Sequence, residues 1–376
     1  MVIKEVQAER WRNLDRLVLR PSTGLTVLFG SNGQGKTNVI EAIYFLATLR
    51  SFRTSRVREL VRIGEPASDL GSPPGESRAR LEARVTTPAL ERQVEVEVGE
   101  GMRVVRLDGK PARAAAAIFG ALSVVLFVPE DLLLPRAAPS ARRRYLDLAV
   151  FNVERGYFRE ASAFQRVLKS RNALLRTGRA SPVLMETYDE ELARTGARVV
   201  LRRRRLVADL APRMAALFKA LHGDLPVELR YQSDARVEAA GDEASVREAL
   251  LGGLEKGRAV DERRRFTGFG PHTDDLEIRL SGRLAREHAS QGQLRSLVLA
   301  LKLAELGNVE ERRGDAPVLL LDDVPSELDP ERRRFLFEMI ASLSCQTVIS
   351  VADREVIPPL ARRMDFLVVG GRLAEA

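Results

Sequence analysis

Residues 1 to 30 run apolar in short bursts, the clearest being Leu25-Thr26-Val27-Leu28-Phe29 after the turn residues Pro21-Ser22-Thr23-Gly24, and they predict strands. From 37 to 49 the spacing changes. Apolar residues at 39, 40, 43, 46 and 47, with no Gly or Pro among them, predict a helix. A glycine-rich loop therefore joins strand to helix. Period-two alternation returns over 79 to 86, 91 to 98 and 103 to 107, as in Val94-Glu95-Val96-Glu97-Val98, and predicts an antiparallel meander. The Gly-, Pro- and Ser-rich stretch from 64 to 78 predicts a mobile surface loop, and Val124 to Val128 a strand buried on both faces.

The texture then shifts. From Pro139 to His222 long helical patterns dominate, and Gly and Pro recur only at Gly156, Gly178, Pro182, Gly196 and Pro212. Ser181-Pro182 reads as an N-cap with proline at the first helical position, opening a helix through Tyr188 and Leu192. Strand character returns at Phe266 to Leu280 and at Pro317 to Leu321. The expected class is α/β, with one core built from both chain ends. The boundaries are 1–135 and 263–376 for the two lobes of that core, and 136–262 for an inserted helical arm. No repeat of fixed period is present.

Composition narrows the class. The 376 residues are 45% apolar and 30% charged, as in a globular chain, which excludes wholesale disorder. One cysteine, Cys345, excludes an internal disulfide framework and fits a reducing cytosol. The start MVIKEVQAERW lacks a signal-peptide pattern, and the longest mainly apolar run, Ala114 to Val128, is shorter than the roughly 20 residues of a bilayer span. A cytoplasmic protein with no membrane partner is expected.

The net charge is +8, and it is regional. Between Arg136 and His222 there are 19 basic and 8 acidic residues, a balance of +11 that leaves −3 for the rest. Such a region attracts polyanions, nucleic acid first and an anionic membrane surface second. Arg runs also simply solvate helix faces, and only 7 of the 60 basic residues are Lys. Candidate DNA-contacting residues are Arg142, Arg143 and Arg144, with Arg202, Arg203, Arg204 and Arg205. Aromatic residues are 5% of the chain, so contact with phosphates is expected over extensive base stacking.

Gly30-Ser31-Asn32-Gly33-Gln34-Gly35-Lys36-Thr37 fits G-x-x-x-x-G-K-[ST] between a predicted strand and helix, the context that a phosphate-binding loop requires. Glycines let backbone N–H groups wrap phosphate oxygens, Lys36 reaches the outer phosphates, and Thr37 can ligate Mg²⁺. The apolar run ending in Asp322-Asp323 puts two carboxylates at the end of a buried strand. Asp322 is the candidate for Mg²⁺, and Asp323 for orienting or deprotonating the attacking water. The expected cofactors are ATP and Mg²⁺, and the catalytic candidates are Lys36, Asp322 and Asp323.

A second small turn, Ser290-Gln291-Gly292-Gln293, precedes a helix with apolar residues at 294, 297, 298, 301 and 303. Alone it reads as a helix cap or as a second anion site.

Phosphate loop, helical insertion, Ser-x-Gly-Gln turn and acidic strand come in the order seen in ATPases of the ABC and SMC superfamily. Within it the chain resembles the RecF family of bacterial recombination mediators. The resemblance is carried by Arg12-Asn13-Leu14, the phosphate loop, Ser51-Phe52-Arg53-Thr54, FVPEDL at 127 to 132, Arg142 to Asp147, and Lys169 to Leu175. It continues through GPHTDDL at 270 to 276, ASQGQ at 289 to 293 and LLLDDVPSELD at 319 to 329. It implies an ABC/SMC-type head with a short helical arm, an ATP-dependent homodimer and weak DNA-stimulated ATPase activity. In that dimer Ser290, Gln291, Gly292 and Gln293 would complete the partner's ATP site. It also implies binding to single-stranded or gapped DNA with RecO and RecR, in recombinational repair, replication restart and SOS induction. The chain departs from the general ABC pattern in Gln291 for Gly, Asp323 for Glu, and Ala352-Asp353-Arg354 where a His is usual. The shorter Asp323 predicts slow turnover. A nucleotide-binding subunit of a transporter or other repair complex, a small-molecule P-loop kinase and a non-hydrolysing scaffold are the other readings of the same phosphate loop.

Overall fold

Strand β1 (Val2–Trp11) turns back as β2 (Leu14–Leu19) through Arg12, which holds a left-handed φ of 54°. The computed structural model describes residues 1–62, 78–87, 89–99, 102–112, 120–154, 156–178, 181–343 and 345–375. The loop expected at 64 to 78 lies, but for Arg78, outside them, as does the front of the apolar run from Ala114. Strand β3 (Leu25–Phe29) delivers the chain to Gly30, and α1 (Lys36–Thr48) departs from Gly35.

The predicted stripe on α1 is wider in three dimensions. Ala42, Tyr44 and Phe45 are buried along with Val39, Ile40, Ile43, Leu46 and Ala47. An amphipathic surface helix needs one apolar face, but α1 packs against two sheets and is buried on nearly every side. The first sheet contains the expected meander, β4 (Ala79–Thr86), β5 (Glu91–Gly99) and β6 (Met102–Leu107), with the short β7 (Lys110–Pro111). Its order is β2-β1-β4-β5-β6-β7, antiparallel throughout. Strand β8 (Val124–Phe127) belongs to the second sheet, where Val124, Val125 and Phe127 are buried.

The helical insertion follows, with α2 (Pro139–Val153), α3 (Tyr157–Thr177) and the 41-residue α4 (Pro182–His222). Ser181 caps α4 as predicted, its Oγ accepting the Leu184 N–H at 3.2 Å. The helix runs unbroken through Gly196, where a side chain would press on Leu250, Phe164 and Pro271. Next come β9 (Val227–Gln232), the single turn α5 (Ala235–Glu238) and α6 (Glu243–Arg264), the last opened by a reciprocal cap between Asp242 and Ser245. Strand β10 (Asp275–Leu280) is shorter than the 266 to 280 expected, because Gly270 at φ 129° and Pro271 turn the chain first. Then follow β11 (Arg283–Leu284), α7 (Ala285–His288) and α8 (Gln291–Arg313).

The chain finishes with β12 (Val318–Asp322), α9 (Val324–Glu327), α10 (Pro330–Ser342), β13 (Thr347–Val351), β14 (Arg363–Val369) and β15 (Arg372–Glu375). The second sheet has the order β15-β14-β3-β13-β12-β8, parallel from β14 to β8, with β15 antiparallel at one edge.

Two compact units result, Met1–Asp131 with Val309–Ala376, and Leu132–Asn308. The second unit is longer than the 136–262 read from the sequence. Strand β10 pairs with β9, from Asp275↔Gln232 to Leu280↔Val227, so residues after 263 complete a sheet begun inside the arm. Hydrophobic patterning identifies a strand but not its partner.

Inside the second unit lies a fully buried charge cluster. The Arg171 guanidinium donates to Asp189 at 2.7 Å, to Asp261 at 2.8 Å and to Thr267 at 2.8 Å, while Arg258 pairs with the other Asp189 oxygen. These bonds tie α3, α4, α6 and the loop after α6 together. Arg171→Ala leaves Asp261 without its cation and is expected to lower stability by about 3–5 kcal/mol, read as a shift in the urea midpoint.

Candidate nucleotide-binding site

The phosphate loop sits at the C-terminal edge of the parallel strands, where open α/β sheets place ligands. Strand β13 lies between β3 and β12, with Val351 beside Phe29 and Ser350 beside Asp322. Backbone geometry requires the loop's glycines. Gly30, Gly33 and Gly35 all have positive φ, and a Cβ on Gly30 would lie 2.6 Å from the Val368 carbonyl oxygen. Lys36 is 7% exposed and its Nζ donates to the Gly30 and Ser31 carbonyls at 2.6 and 2.9 Å. Burial pulls its pKa below the usual lysine value, and Asp323 and Asp322 oppose that shift.

Thr37 and Asp322 meet. The Thr37 hydroxyl donates to Asp322 Oδ1 at 2.9 Å, and Ser350 donates to the same oxygen at 2.6 Å. Burial raises the Asp322 pKa above the usual carboxylate value, and the Ser350 and Thr37 hydroxyls oppose that shift without cancelling it. A threonine hydroxyl beside one carboxylate suits Mg²⁺, which usually takes one or two protein oxygens, substrate phosphate and water. Among the described residues no group of three or more His, Cys, Asp or Glu side chains is placed to hold a metal ion. Asp323 lies next along the chain in the left-handed region at φ 53°. Its N–H donates to the Ser350 carbonyl at 3.0 Å, and its Oδ1 accepts from Ser326 at 2.7 Å.

The loop faces an open cavity of about 910 Å³, lined also by Asn32 and Asp323, with Lys36, Arg12, Arg53 and Arg62 as its cations. Several of these residues carried no role in the sequence reading. Arg12 grips the buried Glu41 through two 2.8 Å bonds, and Ser51 donates to the same carboxylate. Asn13 donates to the Gln34 carbonyl at 3.2 Å and accepts from Asn38, which in turn accepts from Arg53. The turn between β14 and β15 braces the loop from its other side: Gly370 N–H donates to Gln34 Oε1 at 2.7 Å, and Gly371 N–H to the Gln34 carbonyl at 2.9 Å. A polar residue at position 34 was visible in sequence, but its partners more than 300 residues away were not.

The serine turn belongs to the second unit. Ser290 Oγ accepts the Gln293 N–H at 3.1 Å, and Gln293 Oε1 accepts the Ser290 N–H at 2.9 Å, a reciprocal cap that opens α8. Ser290 and Gln291 are exposed, and Gly292 and Gln293 partly so. Where ABC ATPases usually carry His, Asp353 caps a short 3₁₀ turn and Arg354 lies over the Phe29 ring at 5.1 Å.

The RecF/RecN/SMC N terminal domain family model matches residues 2–365. A DNA replication and repair protein RecF of Anaeromyxobacter sp. (strain Fw109-5) is 44% identical over 367 residues, 96% of this chain and 95% of that protein. The chain belongs to the RecF family. The RecF of Myxococcus xanthus (strain DK1622) is 43% identical over 351 residues, 92% of this chain and 90% of its own. A solved structure described as the recombination mediator protein RecF-ATP in the RecFOR pathway superposes with a TM-score of 0.89 at 30% identity, covering all of this chain and 97% of the other. An SMC head bound to the C-winged helix domain of ScpA shares the fold at 16% identity and TM-score 0.58, covering all of this chain and 97% of its own. The head is thus of the ABC/SMC type.

In this RecF-family chain the arginines expected to face DNA are mostly engaged internally. Arg142 is 3% exposed, with a two-bond ion pair to Asp275 at 2.7 and 2.6 Å. Arg203 is equally buried, pairing with Asp147 and donating to the Pro271 carbonyl at 2.7 Å. Arg143 donates to the Asp274 carbonyl, Arg202 pairs with Glu154 and Glu160, and Arg204 donates to the last carbonyls around α5. Arg142 and Arg203 are therefore withdrawn as DNA contacts, since a phosphate cannot reach a guanidinium enclosed by protein. The run reads as a helix face, but α2 and α4 are covered on several sides. Arg144 and Arg205 are the exposed members.

Gly371→Ala tests the brace. A Cβ there would lie 2.5 Å from the Asn13 carbonyl oxygen at φ 78°. Nucleotide affinity by fluorescent-analogue titration is expected to fall by roughly tenfold, about 1.4 kcal/mol, with far-UV dichroism unchanged.

Proposed function

We propose that this chain is an ATP-dependent recombination mediator that dimerises on ATP and binds gapped or single-stranded DNA in recombinational repair, replication restart and SOS induction. The observation that carries the reading is the Thr37–Asp322 hydrogen bond beside Lys36 at a cationic cavity, in a chain that a RecF relative matches over 96% of its length. Loop N–H groups and Lys36 bind the triphosphate, and Thr37 and Asp322 would hold Mg²⁺, which would supply positive charge against the phosphates. Arg53 adds a second cation, and Asp323 orients the attacking water. Its shared bond with Ser326 and its short side chain favour slow turnover, suited to a timer.

The serine turn supplies the second half of the site across a two-fold axis, with Ser290, Gln291, Gly292 and Gln293 meeting the triphosphate held by the partner. ATP then becomes part of an isologous interface, and dimer stability follows nucleotide. DNA meets exposed basic surface on the second unit, where Arg144, Arg205, Arg263, Arg264 and Arg265 are exposed. RecR and RecO are the protein partners suggested by the relatives' place in the RecFOR pathway. The cytoplasm is the compartment where such a protein works, and among the described residues no helix is long and apolar enough to cross a membrane.

Lys36→Met is expected to abolish ATP-driven dimers in light scattering. Dimers of unchanged affinity in that variant sink the proposal. DNA binding is expected to weaken by orders of magnitude between about 50 and 200 mM salt. Arg264→Ala with Arg265→Ala should flatten that slope by about one to two units, as read by fluorescence anisotropy on gapped DNA.

A further inference from the structure

The serine turn needs a support that neither its own cap nor the phosphate loop provides. It follows α7, a helix of one turn whose last carbonyls have few partners within the helix. Arg136 reaches one carbonyl of α7 and the carbonyl just after it. Its Nε donates to the Arg286 carbonyl at 3.2 Å and its Nη2 to the Ala289 carbonyl at 3.3 Å, the peptide group joined directly to Ser290. A guanidinium at a helix C-terminus both fills the carbonyl lone pairs and meets the negative end of the dipole.

Arg136 is itself held in place. The buried Arg142 side chain donates to the Pro135 carbonyl at 3.3 Å and to the Ala137 carbonyl, the residues on either side of Arg136. With its other edge Arg142 grips Asp275 at the start of β10, and Arg286 approaches the same carboxylate at 4.0 Å. The contacts close a circle: Asp275 to Arg142, to the backbone around Arg136, to the carbonyls of α7, and back through Arg286 to Asp275. Every member lies in the second unit, and the Ala289 carbonyl, joined directly to Ser290, accepts from Arg136 within it.

We propose that Arg136, anchored from behind by Arg142, is the positioning residue that sets the direction of the serine turn toward a partner's triphosphate. A reciprocal Ser–Gln cap fixes the first turn of α8; just before it the chain passes through Ala289, an extended residue at ψ 139° whose N–H donates to the Ala285 carbonyl at 3.0 Å and whose carbonyl is held from outside the turn by Arg136. The two hydrogen bonds from Arg136, on the Arg286 and Ala289 carbonyls, restrict the chain entering the turn. The inference rests on the two-protomer reading above, since a turn that meets no ligand needs no aim. Arg136 touches no nucleotide of its own protomer in this account, so its effect should separate nucleotide capture from dimer formation.

The full chain is compared as wild type, Arg136→Ala, Arg136→Lys and Ser290→Ala. Arg136 is exposed, so its replacement should leave the thermal midpoint unchanged. Three measurements are made: fluorescent ATP-analogue binding at a dilution that keeps the chain monomeric, dimer formation by light scattering with ATP and Mg²⁺, and amide hydrogen exchange across residues 291–294. Arg136→Ala is expected to bind nucleotide as wild type does, to weaken the dimer by about tenfold or more, and to exchange faster at 291–294 but not in the phosphate loop. Arg136→Lys, with one compact donor for two carbonyls, should fall between. Wild-type dimer affinity with unchanged exchange in Arg136→Ala overturns the proposal. If Ser290→Ala leaves the dimer unchanged, the two-protomer reading fails instead. Exchange at 291–294 then decides alone: faster exchange upholds the hold of Arg136 on the turn, and unchanged exchange removes it.

Discussion

Helix α1 is enclosed between two sheets, and the geometry of the phosphate loop depends on that enclosure. Its first residue is Lys36, and most of the next eleven are buried against the core. Each large apolar side chain there contributes about 1.5–3 kcal/mol by burial, so moving the helix would expose far more than a ligand contact returns. The loop is consequently presented on a rigid base, with its N–H groups aimed before any phosphate arrives. Glu41, fully buried on the same helix, is admitted to the core only because the Arg12 fork and the Ser51 hydroxyl satisfy it. That pair also fixes the turn between β1 and β2, which carries Asn13 to the loop.

Arginine chemistry runs through the whole molecule for a related reason. Two-oxygen grips such as Arg12 on Glu41 and Arg142 on Asp275 require a planar fork, which lysine lacks. Buried pairs of this kind contribute little net stability over apolar packing, but they are costly to break singly and they fix direction. A large part of the regional positive charge is engaged inside the second unit. What remains for a polyanion is the subset left at the surface, including Arg205 and the run from Arg263 to Arg265.

The phosphate loop and the serine turn are built on different principles. The phosphate loop is held by long-range packing and by a brace from the β14–β15 turn. The serine turn is held locally, by its own cap and by guanidinium contacts to a one-turn helix.

Sequence alone determined the phosphate loop, the acidic strand end and the turn that opens α8, because each rests on local spacing: glycines where φ must be positive, an apolar run of strand length, a serine three residues before a glutamine; the family was legible through several short motifs shared with its members. The Ser181 cap and the meander from 79 to 107 were legible for the same reason. Tertiary structure decided what depends on partners distant in the chain. It assigned β10 to β9, moved the unit boundary from 263 to 309, and filled both faces of α1. It brought Ser350 and Gly370 to the loop and turned Arg142 and Arg203 inward. Periodicity records which face of an element is apolar, and a charge run records that a face is polar. Neither records which element will cover that face, because the covering energy belongs to pairs of segments that only the folded chain brings together.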